Sequence, residues 1–291
     1  MNSILQDLIN VLDLEALEVN LFRGQSRDLG GHSVFGGQVI GQSLVAASRT
    51  VPTGRPPHSL HAYFLRPGDM AAPIVYEVDH TRDGRSFTTR GVKAIQHGEV
   101  ILSMIASYHQ PETGFEHQIP MPQVPAPETL RPLSDLATEW LRAAPGAPPR
   151  LHEFLARPQA IELRPVEPRN LLHPEKRPPQ QYVWFRAAEQ LPDDPLLHRC
   201  LLAYASDFSL LGTVTLPHAV AIGQPDLFFA SLDHALWFHR EPRVDEWLLY
   251  AMDSPSAQGA RGLARGEIFD RSGRLVASVA QEGLVRLIAP H

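Results

Sequence analysis

Cysteine is almost missing from this chain: Cys200 is the single one among 291 residues. An internal disulfide is thereby excluded. Cys200 lies in an apolar stretch, where a small buried hydrophobe is the expected role rather than a nucleophile. An excess of positive charge is missing too. The formal net charge is −6 and the pI is near 6.1, which argues against nucleic acid as a partner, since such proteins carry a basic face. No apolar run approaches the roughly 18 residues that a membrane span requires. The opening MNSILQDLINVLDLEALEV has no basic start, and Asp7, Asp13 and Glu15 interrupt what a signal peptide would keep apolar. The fourteen histidines fall at no metal-ligand spacing such as His-Glu-x-x-His, so no metal and no cofactor are expected. With 43% hydrophobic and 20% charged residues, the profile is that of a soluble globular protein, and the cytoplasm is the expected compartment.

What is present is a pattern that occurs twice. Leu5, Leu8, Ile9 and Leu12 fall at helical spacing and predict a short amphipathic helix. A short strand is expected at Glu18–Gly24, then a helix rich in small residues over Phe35–Val51. Four β runs follow: HSLHAYFLR, PIVYEVDHT, RSFTTRGVKAIQ and EVILSMIASYH, separated by Gly, Pro and Asp turns. Residues 111–179 differ, with 14 of the 27 prolines falling between Pro120 and Pro179. They read as a surface connector with a helical piece near Leu133–Ala144 and a strand near Ala160–Arg164. The first order then returns, with a strand at Gln180–Ala187, a long apolar helix at Leu196–Thr213, and four more β runs to the end. Letters match as well: Tyr76 with Tyr250 at an offset of 174 residues, and Arg90 with Arg265 and Ser103 with Ser278 at 175. An offset that drifts by one residue marks an internal duplication.

Each half thus has one long apolar helix and one antiparallel sheet with an inward face. Both are buried at once when the sheet curls around the helix. The expected class is α+β, a double hotdog, with a first repeat over 1–110, the connector over 111–179 and a second repeat over 180–291.

One acid sits inside this greasy framework. On a helix over 196–213, Asp207 shares its face with Ala203, Tyr204, Leu210 and Leu211. A buried carboxylate without partners costs several kcal/mol, so strands around that helix must supply polar company. Alternation along the last strand turns Gln281 inward beside Ala277, Val279 and Gly283. Ser231, on a mixed face with Phe229, Asp233, Ala235 and Trp237, is the third candidate. An acid, a hydroxyl and an amide can hold one water among them, the acid taking its proton. A purely structural aspartate is the alternative. The first repeat is an internal control: no Asp or Glu occurs between Leu29 and Gly68, and the position matching Gln281 is Ala106. A fold that needed these polar groups for its own sake would keep them in both copies. Gly36-Gly37, at the start of the first helix, is a candidate donor to a developing oxyanion. His58, His234 and His239 read as ordinary strand histidines. Arg261 and Arg265 are candidates for phosphate contacts, with solvated surface the default role for each.

The motifs Leu21-Phe-Arg-Gly-Gln25, Val34-Phe-Gly-Gly-Gln-Val39, His58-Ser-Leu-His-Ala-Tyr-Phe-Leu-Arg-Pro-Gly68, Gly114-Phe-Glu-His117, Tyr204-Ala-Ser-Asp207, Leu232-Asp-His234, Trp237-Phe-His239, Glu246-Trp-Leu-Leu-Tyr250 and Val279-Ala-Gln-Glu-Gly283 occur in this order over nearly the whole chain. In them the sequence resembles the type II acyl-CoA thioesterases, the TesB-like family. The resemblance implies hydrolysis of fatty acyl-CoA to free acid and CoA by a homo-oligomeric double-hotdog enzyme, a dimer or tetramer. It also implies a catalytic trio of Asp, Thr and Gln. These fall on Asp207, Ser231 and Gln281, with serine in place of threonine. Two other readings compete. A hotdog enoyl-CoA hydratase or dehydratase would pair its Asp with a His five residues on, where this chain has Gly212. A non-catalytic acyl-CoA-binding protein would keep the fold and lose the chemistry.

Overall fold

The structure, a computed structural model, describes residues 3–27, 33–144, 155–157, 159–221, 224 and 226–288. The expected amphipathic helix is α1 (Ser3–Leu12), and it buries Leu5, Leu8 and Leu12. The strand expected after it is a hairpin of β1 (Glu15–Glu18) and β2 (Leu21–Gly24) that turns at Val19-Asn20. Next come α2 (Gly36–Ser48) and four strands, β3 (Pro57–Phe64), β4 (Ile74–Asp83), β5 (Phe87–Gln96) and β6 (Glu99–His109). The connector carries α3 (Leu133–Ala143) and β7 (Ile161–Pro165). The second repeat runs through β8 (Gln180–Ala187), α4 (Pro195–Ala205), a 3₁₀ segment (Leu211–His218), β9 (Leu227–Ser231), β10 (Asp233–Phe238), β11 (Leu248–Gln258), β12 (Arg261–Asp270) and β13 (Leu275–Leu287).

These strands form one antiparallel sheet in the order β1-β2-β4-β5-β6-β3-β10-β13-β12-β11-β8-β7, with β9 also pairing β13. The order β2-β4-β5-β6-β3 in one half is matched by β8-β11-β12-β13-β10 in the other, so the duplication is a structural repeat. The halves join where β3 pairs β10, His61 opposite Ala235. Inward residues such as Leu60, Ala62, Met104, Leu236, Ala264 and Val279 are buried, and the sheet wraps α2 and α4 as a double hotdog.

The two central helices touch because α2 is poor in side chains on the facing side. A Cβ at Gly37 would lie 2.3 Å from the Tyr204 carbonyl oxygen, and one at Gly41 would lie 3.3 Å from that of Cys200. As α2 advances from 37 to 41, α4 recedes from 204 to 200; the helices are antiparallel. The start of α2, with its free N–H groups, therefore meets the end of α4.

The long second helix departs from expectation. Asp194 caps its start by accepting from the Leu196 and Leu197 N–H groups, with Pro195 in the first turn. It then stops at Ala205 rather than running to Thr213. The Ser206 hydroxyl donates back to the Ala203 carbonyl, Tyr250 donates its hydroxyl to the Ser206 carbonyl, and Ser209 takes a left-handed conformation at φ 65°. Asp207 is consequently in the turn beyond α4. The helical-face argument for its neighbours does not hold, although its side chain is nearly buried.

The connector is more than a strap. Its Met121, Val124 and Leu130, with Val166 just past β7, cover Trp184, Trp247, Leu249, Ala251 and Phe269 on the outer side of the second repeat's half of the sheet, and Trp184 donates its indole N–H to the Pro125 carbonyl. Burial on both sides explains the unbroken apolar run Leu248–Met252. Among the described residues no helix is long and apolar enough to cross a membrane.

Candidate active site

Asp207, Ser231 and Gln281 are brought together, though they are 74 and 50 residues apart in sequence. Gln281, fully buried on β13, uses both hydrogens of its amide nitrogen: Nε2 donates to Asp207 Oδ1 at 2.7 Å and to Ser231 Oγ at 3.0 Å. The opposite amide orientation would set an oxygen against a carboxylate oxygen, so this one is the orientation that the neighbours demand. Since the Ser231 oxygen accepts from Gln281, its own O–H remains free to point at a ligand. The second carboxylate oxygen, Asp207 Oδ2, accepts the Gly37 backbone N–H at 2.8 Å. The carboxylate is thus anchored from both repeats, by β13 on one side and by the start of α2 on the other. A helix start favours an anion through its dipole and its unpaired N–H groups.

Gly37 was a candidate for the oxyanion donor; its N–H is instead engaged by the carboxylate. Around this polar centre Phe35 stacks on Phe208 at 4.7 Å and meets Tyr204 edge-on at 5.2 Å. An apolar wall of this kind excludes water and strengthens the interactions within.

Ser231 reaches the site through a bulge. It pairs with Gly283 on β13, while Ala235, four residues later, pairs with Ala280, only three residues earlier. The extra residue is accommodated at Leu232-Asp233. The Leu232 N–H donates to the Glu282 carbonyl, and Asp233 Oδ1 accepts the Glu282 N–H at 2.7 Å. Strict alternation set His234 on the face opposite Ser231. The bulge resets the phase and brings both inward. His234 is completely buried, its Nε2 lies 2.9 Å from Ser206 Oγ, and its Nδ1 lies 4.0 Å from Asp207 Oδ1. Burial holds the imidazole below its usual pKa, with the Asp207 carboxylate acting the other way. His234 is therefore no ordinary strand histidine. The sequence held one sign of it: a short acid within an apolar strand, of the type that bonds backbone in place of the ladder.

The remaining candidates lie apart from this cluster. His58 bonds Ser107 and His239 bonds Ser278 on exposed or half-exposed positions. Arg261 pairs with Glu282 and Arg265 with Asp253, each largely exposed. Chemically, the centre offers a carboxylate, a hydroxyl with a free proton and an amide whose nitrogen is fully engaged while its buried oxygen has no hydrogen-bond partner among the described residues. That set activates water. Among the described residues it places no base against the Ser231 hydroxyl, whose partner Gln281 Nε2 is a donor, as a serine nucleophile would require.

Residues 154–284 match the acyl-CoA thioesterase family, and residues 25–109 match the acyl-CoA thioesterase N-terminal domain. The chain is 43% identical over 286 residues to acyl-CoA thioesterase 2 of Haemophilus influenzae, covering 98% of this chain and 99% of that one. Its structure is similar to the crystal structure of an acyl-CoA thioesterase II of Mycobacterium marinum, with a TM-score of 0.79, 46% identity and coverage of 98% and 100%. The same fold is found in a hot dog protein of Alicyclobacillus acidocaldarius at a TM-score of 0.77, 20% identity and coverage of 98% and 99%.

Proposed function

The chain belongs to the acyl-CoA thioesterase family, and from that premise we propose that it hydrolyses fatty acyl-CoA to free acid and CoA by direct attack of a water molecule that Asp207 deprotonates. The observation that carries this reading is the single Gln281 nitrogen that bridges Asp207 and Ser231 at 2.7 and 3.0 Å. It leaves the carboxylate and the hydroxyl flanking one point. A water there donates a hydrogen bond to Asp207 and accepts one from the Ser231 O–H. As its oxygen bonds to the thioester carbon, the proton passes to Asp207, and the C–S bond then breaks with the electron pair leaving on the CoA sulfur. General-base assistance of this kind is worth about 10²–10⁴ in rate. The site belongs to the second repeat, with Gly37 of the first holding the base in place.

A thiol-release assay on acyl-CoAs of graded chain length tests the reading. Steady CoA release is expected from the wild type, and a loss of at least about 100-fold in Asp207→Asn with the fold intact. Release that persists in this variant would place the base elsewhere. The same assay separates the competing readings, since an enoyl-CoA hydratase or a mere acyl-CoA binder releases no thiol.

The protein is also read as a homo-oligomer, a dimer or tetramer. Tyr63, Ile105 and Trp237 stand exposed on the outer face of the adjoining strands β3, β6 and β10. Apolar side chains grouped in this way mark an interaction surface. Sedimentation as a monomer at micromolar concentration would refute that assembly.

A further inference from the structure

The hydrogen bonds around His234 determine which of its nitrogens carries the proton. Ser206 has one hydroxyl hydrogen, and it is given to the Ala203 carbonyl at 2.9 Å. With its hydrogen so used, the serine oxygen accepts from His234, and on that ground the ring N–H is assigned to Nε2. In the neutral ring Nδ1 is then a bare lone pair. It is completely buried and, among the described residues, without a hydrogen-bond partner, 4.0 Å from Asp207 Oδ1. Two acceptors face each other there. A buried acceptor without a donor is costly, and this one lacks a donor only while Asp207 is a carboxylate.

We propose that His234 is a positioning residue for the hydrolysis, its Nδ1 accepting a hydrogen bond from the carboxyl O–H that Asp207 acquires when it deprotonates the attacking water. The inference rests on the reading of Asp207 as the base. In the step, an O–H bond of water breaks and one forms on Asp207. The water oxygen bonds to the thioester carbon, and the C–S pair leaves on sulfur. Once the water oxygen has moved onto the thioester carbon, the new carboxyl O–H turns from it to Nδ1, and the proton remains on Asp207 until the departing thiolate or solvent removes it. Closing from 4.0 Å to an ordinary O–H···N length takes a shift of about 1 Å, of the size by which catalytic hydrogen bonds tighten once substrate is bound. Lone-pair opposition in the resting site is thus exchanged for a hydrogen bond as the reaction proceeds. An interaction that is stronger after proton transfer than before it favours the chemical step.

The two edges of the ring can be tested separately. His234→Gln places an amide where Nε2 was and keeps a donor for Ser206 while removing the acceptor beside Asp207. His234→Asn places an amide oxygen where Nδ1 was and gives up the Ser206 bond. With dodecanoyl-CoA as substrate, His234→Gln should lower kcat by about 10- to 100-fold with KM unchanged, the range for losing one hydrogen bond to a charged or reacting group. His234→Asn should keep kcat within about threefold even though its melting temperature falls. If His234→Gln retained wild-type kcat, or if both variants lost kcat equally, in step with their melting temperatures, the inference would be overturned and the histidine would be structural. Asp207→Asn in the same assay keeps the premise separate: wild-type kcat in that variant would remove the base itself, whatever the His234 variants do.

Discussion

Replacing Gly37 by alanine should disable the site without altering any of the three side chains in it. The added Cβ would stand 2.3 Å from the Tyr204 carbonyl oxygen and 2.5 Å from the Phe35 ring, where ordinary contact begins near 3.4 Å. The carbonyl is helix backbone and cannot rotate away, so α2 and α4 must part by about 1 Å. The Gly37 N–H, now 2.8 Å from Asp207 Oδ2, would then lie beyond hydrogen-bond reach. A hydrogen bond to a charged group contributes about 1.5–3 kcal/mol, and the helix start adds about 0.3–1 kcal/mol. The rate loss comes from geometry rather than from these energies, since a bond to the carboxylate weakens on protonation: a base displaced by about 1 Å lowers kcat by about 100-fold. Overpacking itself costs about 1–3 kcal/mol of stability. Gly41→Ala is the control, one turn further along the same helix contact. Its Cβ would meet the mobile end of Leu12 at 3.0 Å and the Cys200 carbonyl at 3.3 Å, which asks for a few tenths of an ångström, far from Asp207. Melting curves and thiol-release kinetics on the two variants decide the matter. Gly37→Ala should lose both stability and kcat, whereas Gly41→Ala should lose stability alone. Equal kcat in the two variants would refute the claim that the first repeat anchors the base.

Three further outcomes are expected. Burial holds His198 and His234 below the ordinary histidine value of 6.5; the unfolded chain therefore binds protons that the folded one refuses, and the stability these groups contribute is complete above about pH 6.5 and declines below it. The melting temperature should drop from pH 7.5 to 5.5, less steeply in His198→Gln; a flat profile would contradict this. Ser231→Ala removes the hydroxyl that faces the substrate and leaves a Gln281 N–H unpaired, so kcat should fall about 10- to 100-fold, whereas Ser231→Thr, whose branched Cβ restricts the rotamer, should match or exceed the wild type. Tyr250→Phe leaves the Ser206 carbonyl at the end of α4 without its 2.8 Å partner, and calorimetry should find a loss of about 1–3 kcal/mol; an unchanged melting temperature would show that another donor takes its place.

Much of this protein was legible in one dimension because the relevant physics is local. Alternation placed Gln281 inward with Ala277, Val279 and Gly283, and β8 and α3 have the expected bounds to within a residue because turn residues and periodicity set them. The duplication was visible because both copies bury one helix with one sheet and repeat the same order of elements. The errors occurred where long-range contacts override a local pattern. Apolar spacing continued the second helix to Thr213, but Tyr250, 44 residues away, binds the Ser206 carbonyl and the chain turns. Strict alternation separated Ser231 from His234, but a one-residue mismatch against β13 reunites them.

The residues alone determined the class of fold, the tandem repeat and the identity of the acid, the hydroxyl and the amide. Patterning specifies which faces are buried, and an isolated acid among apolar residues requires company. Only the folded chain added the acid's further neighbours, Gly37 and His234. Gly37 reaches it across 170 residues through the close approach of two antiparallel helices, and His234 through a bulge whose phase is set by the neighbouring strand. Both depend on backbone positions defined by packing between the repeats, which no local sequence pattern encodes.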